Sequence, residues 1–269
     1  MSVKPDLDGV PETALWTLWF RAVAARGDDG ILDDPMAIEA VDKLDYPFAE
    51  RFGQLFPAHA RIQALRVRTF DAAVEEFLAR HPDGTVVALG EGLETQFWRV
   101  DNGAVRWLTV DLPQSVALRQ KLLPTHERQR VFAGSALDPA WLDLVDPAHG
   151  VLVTAQGLLM YLQPAEVHAL IARCAERLPG NGMVFDAVPP WMAGAVRRGT
   201  ERYQPPPLPW TLVPAELAGL AAIHPGIAEV RDVRPPASPG LLGWLLPRLR
   251  YLPVLRRARP MVVALRFRG

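Results

Sequence analysis

The sequence predicts an α/β fold, a single domain on a mostly parallel sheet of seven strands, with a helical cap ahead of it and an insertion near its end. Three observations predict that class. Short apolar runs recur between helical patterns, the first run ends in the glycine pair Gly90 and Gly92, and the next ends on Asp111. At 269 residues and 49% hydrophobic content, the chain is able to bury one substantial core.

Taken in order, the first 80 residues read as helices over 11–25, briefly after Asp34-Pro35, and over 62–80. No Ser/Gly-rich linker parts them from Val86, so residues 1–80 form a cap rather than an independent domain. Strands are expected at 86–89, 107–110, 130–133, 151–155, 183–187, 229–233 and 261–267. Pro113 and Pro164 each open a helix at the position where a missing N–H costs nothing, and Pro179-Gly180 ends the second. Residues 81–188 then make the cofactor-binding core, 189–226 a substrate-lid insertion stiffened by Pro205-Pro206-Pro207, and 227–269 the closing strands with a helix. That helix, over 241–255, carries leucines beside Arg248, Arg250, Arg256 and Arg257. Pro247 and Pro253 interrupt it, so it is expected to pack over the sheet rather than lie on a membrane surface.

The glycine turn carries the chemistry. Without Cβ atoms, Gly90 and Gly92 let the chain turn sharply at the end of a buried strand and let a ligand lie against the backbone. Asp111, about 20 residues further on, is placed to accept hydrogen bonds from the vicinal hydroxyls of a ribose. A dinucleotide site normally keeps a third small residue so that a helix N-terminus meets the pyrophosphate, and Thr95 stands there instead. S-adenosylmethionine, which has an adenosine and no phosphate, suits the turn better than NAD.

A net charge of −1 offers no general field for nucleic acid or acidic lipid. The lone Cys174 excludes an intramolecular disulfide, and no metal site is predicted; its place in the apolar pattern of 167–178 predicts a buried core thiol. The start of the chain lacks a basic and apolar leader, and no segment reaches about 18 apolar residues. A cytoplasmic monomer or homodimer without stable membrane insertion is the expectation.

Five motifs in order, Arg66-Val67-Arg68-Thr69-Phe70-Asp71, 89–99, Val110-Asp111-Leu112-Pro113, Gly134-Ser135-Ala136-Leu137-Asp138 and 156–162, resemble the leucine carboxyl methyltransferase family, in particular its bacterial polyketide O-methyltransferase branch. The resemblance implies a class I, Rossmann-like methyltransferase sheet with its last strand antiparallel. It implies that Gly90 and Gly92 touch the methionine arm and ribose of S-adenosylmethionine, that Asp111 beside Leu112 holds the ribose, and that Leu137 and Asp138 meet the adenine. Arg66 matches the arginine that pairs with the cofactor carboxylate, a task for a planar fork of donors. Since i and i+2 do not share a helix face, Arg66 rather than Arg68 is expected in the site. The chain departs from the family pattern at Glu94, usually Asp, and at Gln96, often Arg, so the charge pair beside the glycine loop is expected to be lost or rewired. Gln156 stands where eukaryotic members carry Glu, which leaves the end of the fourth strand neutral.

The reaction implied is O-methylation of a polyketide-like carboxylate to a methyl ester. A carboxylate, with a reference pKa near 4, needs no general base, whereas a phenol near 10 does. His59, His81, His126, His149, His168 and His224 all fall outside the motifs and are expected at surfaces or helix ends. Gln156 and Tyr161 are the expected positioning residues, with no base assigned. Trp16, Trp19, Phe20, the 157–161 turn, Trp191, Tyr203 and Trp210 are expected around the acceptor. A hydroxyl or phenol acceptor, or a non-catalytic protein that binds S-adenosylmethionine, are the alternatives.

Overall fold

The computed structural model describes residues 2–27, 30–198, 203–236, 252 and 258–269. Seven strands form one sheet in the order β3-β2-β1-β4-β5-β7-β6: β1 Thr85–Leu89, β2 Arg106–Asp111, β3 Gln129–Ala133, β4 Val151–Ala155, β5 Gly182–Ala187, β6 Ile227–Val233 and β7 Met261–Phe267. All pairings from β3 to β5 are parallel, and β7 enters antiparallel between β5 and β6. This is the predicted class I methyltransferase sheet. The central β1 and β4 are buried along their whole length, as continuous apolar runs in a parallel sheet require.

Helices cover both faces. Val87 and Leu89 point to one side with Val153, Phe185, Leu170 and Ile171; Val86 and Ala88 point to the other with Phe70, Val74, Phe77 and Phe97. Removing a side chain such as Phe70 or Leu170 from water contributes about 1.5–3 kcal/mol. The helices are α1 Thr13–Ala25, α2 Pro35–Lys43, α3 Phe48–Phe52, α4 Pro57–Leu78, α5 Gln96–Val100, α6 Pro113–Leu122, α7 Pro164–Arg177 and α8 Pro190–Val196. Proline opens five of them where it costs no hydrogen bond. The start of α4 falls five residues ahead of the position predicted from Ile62, because Pro57 follows the extended Phe56 and pre-sets the first turn. Cys174 is buried on α7, as expected, and burial pushes its thiol up to about 12.

The cap consists of α1 to α4. Leu15, Leu18 and Ala22 of α1 pack on Ala37, Ala40, Phe48 and Phe52, and Trp16 stacks on Phe52 at 6.0 Å. Because β1 leads outward to β2 and β3 while β4 leads the other way to β5, the strand order reverses between β1 and β4. A crevice opens there at the carboxyl ends of the strands, and the cap lies over it. The helix expected over 241–255 lies outside the described residues except for Leu252. Among the described residues, no helix is long and apolar enough to cross a membrane.

Candidate cofactor and acceptor site

The crevice is a cavity of about 1020 Å³. Gly90 and Gly92 form its floor with φ of 60° and 54°, a left-handed backbone that side chains rarely adopt. A Cβ at Gly90 meets Leu158 Cδ1 at 2.9 Å, and one at Gly92 meets Ala14 of the cap at 2.9 Å. Asp111, at the end of β2, accepts hydrogen bonds from the Gly92 N–H at 2.5 Å and the Leu112 N–H at 2.7 Å. Burial raises its pKa, and those two amides oppose the rise. Leu112 and Leu137 line the cavity. Asp138 is exposed, stands outside that lining and accepts from the Ala140 N–H at 2.9 Å, capping the turn Pro139–Leu144.

Arg66 projects from α4 into the cavity, while Arg68 turns away to donate to the Ile31 carbonyl at 3.0 Å. The Arg66 Nε donates to Asp186 at 2.8 Å and its Nη1 to Gln63 at 3.1 Å. Asp186, at the end of β5, also accepts from the Gly157 N–H at 2.6 Å, so one carboxylate fixes both the arginine and the turn after β4. Tyr161 closes that turn. Burial raises its pKa and the neighbouring Thr13 hydroxyl offsets this only in part, so the phenol stays protonated near neutral pH.

Behind the glycine loop lies a buried ionic network. Arg21 of α1 donates to Glu94 at 2.9 Å and to the Leu93 carbonyl at 2.5 Å, and pairs with Asp34 at 3.3 Å. Arg99 of α5 reaches Glu94 at 2.8 Å, Asp71 at 2.8 Å and Asp34 at 2.9 Å. Burial alone pushes the Glu94 carboxyl up, but Arg21 and Arg99 outweigh it and hold the group down at about 2. Glu94 also accepts from the Thr95 N–H at 2.9 Å and from the Gln156 Nε2 at 3.0 Å. That bond fixes the Gln156 amide and leaves its buried Oε1, on the cavity wall, without a hydrogen-bond partner among the described residues. A buried acceptor in that state suits a donor supplied by a ligand.

A sequence model of the leucine carboxyl methyltransferase family matches residues 14–175. The chain belongs to the leucine carboxyl methyltransferase family. The tetracenomycin polyketide synthesis O-methyltransferase TcmP of Streptomyces glaucescens is 36% identical over 186 residues, 69% of this chain and 68% of that protein. The S-adenosyl-L-methionine-dependent methyltransferase dpfgK of Gibberella zeae is 30% identical over 196 residues, 67% of this chain and 65% of its own length. The match thus spans about two thirds of each relative. Human N-acetylserotonin methyltransferase in complex with S-adenosylmethionine aligns at a TM-score of 0.49 and 13% identity, over 95% of this chain and 68% of that one. The protein is an S-adenosylmethionine-dependent O-methyltransferase.

In this methyltransferase the charge pair beside the glycine loop is rewired rather than lost. Gln96 donates to Asp71 at 3.0 Å, and the positive charge comes from Arg21 and Arg99. Sequence reasoning missed both arginines and Asp186. The signal for Asp186 was an acid closing the apolar run Met183-Val184-Phe185, the same pattern that marks Asp111 on β2. Three aromatic expectations need correction. Trp16, Phe20 and Trp191 line the cavity, whereas Trp19, Tyr203 and Trp210 do not. Trp19 stacks on Phe48 at 5.8 Å, Tyr203 packs edge-on to Phe52 at 4.8 Å, and Trp210 meets Phe185 in the core, each spent on packing. His59, exposed on the first turn of α4, does line the cavity, although it stands outside every motif.

Proposed function

We propose that this methyltransferase esterifies a carboxylate on an apolar, ring-containing small molecule, giving a methyl ester. It acts as a cytoplasmic monomer or homodimer, with residues 1–80 as its cap and 189–226 as its lid. The observation that carries the reading is the state of the groups at the carboxyl ends of β4 and β5. Tyr161 is kept protonated by burial, Asp186 is committed to Arg66 and the Gly157 N–H, and Gln156 is uncharged. None of these removes a proton near neutral pH, and a carboxylate acceptor has none to lose.

Bound S-adenosylmethionine supplies an electrophilic methyl on a sulfonium, and the acceptor oxygen displaces the sulfur in line. Asp111 holds the ribose hydroxyls, and Leu112 and Leu137 flank the adenine; Asp138, exposed outside the cavity, is left to cap Pro139–Leu144. Gly90 and Gly92 admit the methionine arm. Arg66 pairs with the cofactor carboxylate through the N–H groups that Asp186 and Gln63 leave over. The buried Gln156 Oε1 accepts from the ammonium, a role supported by its lack of any other partner. Trp16, Phe20, Met160 and Trp191 exclude water from the acceptor, and Tyr161 donates to it.

The His59 ring on the cavity wall favours a second reading, a phenol or alcohol acceptor deprotonated by that imidazole. The pH–rate profile separates the two. For a carboxylate the rate is nearly flat from about pH 6 to 9 and survives His59→Gln; for a phenol it falls in acid and the variant loses it. A profile that falls in acid and vanishes in His59→Gln refutes the ester reading.

A further inference from the structure

The cavity has two unlike ends. From Gly92 across to Asp186 its wall mixes apolar side chains with Glu94, Asp111, Gln156 and Asp186, but beyond β5 it is made of Val188, Met192, Val233, Pro235, Met261 and Val262. One charged side chain interrupts that apolar wall among the described residues, Arg259. It stands two residues before β7, is largely buried, and is paired with Asp232 of β6. Its Nη1 is shared between Asp232 at 3.4 Å and the Pro260 carbonyl at 3.3 Å. No described residue accepts from its Nε. A guanidinium in an apolar wall is costly to bury, and one with donors left over is suited to a planar anion.

We propose that Arg259 reads an anionic or oxygen-rich group at the far end of the acceptor and thereby selects two-ended, extended substrates. Distance separates this task from the reacting centre. Met261 lies opposite Ala187 of β5, and β5 lies beside β4, so Arg259 is two strands from Gln156. Two strand spacings are roughly 10 Å between backbones, which anchors Arg259 at the other end of the cavity from Gln156, about the length of a tricyclic ring system away. Of the other two cavity arginines, Arg21 is buried between Glu94 and Asp34, and Arg66 is held by Asp186 at the cofactor end. The Trp191 indole N–H donates to the Ala258 carbonyl at 2.6 Å, tying α8 to the segment that carries Arg259 and fixing both sides of this end.

The inference rests on the carboxylate reading only for the near end of the acceptor, and the test keeps the two apart. Anthracene-2-carboxylate and 6-sulfoanthracene-2-carboxylate are titrated onto the full chain in the presence of S-adenosylhomocysteine, where no turnover occurs. The wild type is expected to bind the sulfonated acid about tenfold more tightly, the worth of one charge-assisted contact. Arg259→Met should bring the two affinities within about twofold, and Asp232→Asn should keep or enlarge the preference by unmasking the cation. Equal binding by the wild type, binding of neither acid, or a preference that survives Arg259→Met overturns the proposal. So does its loss in both variants, because the pair then only ties β6 to β7. Turnover of the same acids is read separately: a binding preference without ester formation supports Arg259 and refutes the carboxylate acceptor.

Discussion

The cofactor half and the acceptor half of the cavity are built on opposite principles. Behind the glycine loop, Asp34, Asp71 and Glu94 pair with Arg21 and Arg99 in a buried network, and a second buried pair, Arg119 with Glu91, donates to the Gly92 and Glu94 carbonyls. Beyond β5, across α8, β6 and β7, the wall formed by the described residues is apolar apart from Arg259, which pairs with Asp232. The difference follows from what each half recognises. A small, polar, unchanging cofactor is held by charges whose positions are over-determined, whereas an apolar acceptor is held by shape and by exclusion of water.

Breaking the network in the first half has the largest expected effect. Arg99→Met leaves Asp34 and Glu94 with Arg21 as their one guanidinium and Asp71 with the Gln96 amide, and should cost about 3–5 kcal/mol of stability, read by urea denaturation. Acid tests the same network with a definite sign. Glu94 is held near 2 in the folded protein, below its ordinary 4.5, so its stabilisation is complete above about pH 4.5 and is lost as the pH falls toward 2. The variant should lose much of that acid dependence. No comparable loss is expected from truncating the apolar wall.

A smaller effect is expected at Asp111, which also has a structural duty toward the Gly92 N–H. Asp111→Ala should lose about 1.5–3 kcal/mol of S-adenosylhomocysteine affinity by calorimetry, the scale of hydrogen bonds to a charged acceptor. Unchanged affinity removes Asp111 from the ribose site.

The smallest expected effect sharpens the contrast between neighbouring side chains. Arg66→Lys keeps the charge but loses the fork, and cofactor affinity should fall by about 1 kcal/mol or somewhat more, while Arg68→Lys, which only trades its bond to Ile31, leaves it unchanged. The reverse pattern assigns the carboxylate to the other arginine.

The same contrast explains what the sequence made legible. The seven strands, the glycine turn and Asp111 are local: an apolar run, two residues free of Cβ and an acid at the next strand end can be read within about 20 residues. The choice of Arg66 over Arg68 needed the family motif together with helix periodicity, which lets only one of the two face the site. Arg21, Asp34 and Asp71 could not be found that way, because each reaches the loop from a different cap helix, and Arg21 lies 73 residues before Glu94. The acceptor half is more scattered still. Trp191, Val233 and Arg259 meet only because β7 inserts between β5 and β6, a topology that aromatic content does not report. Trp19, Tyr203 and Trp210 were therefore assigned to the acceptor although the fold uses them as packing.

The most direct test of the account is the chemical nature of the methylated product. An acceptor turned over with S-adenosylmethionine carrying a labelled methyl group is treated with mild alkali. A methyl ester is hydrolysed and releases the label as methanol, which is the result the carboxylate reading predicts. Retention of the label in an alkali-stable methyl ether would contradict it and assign the apolar half of the cavity to a hydroxyl acceptor.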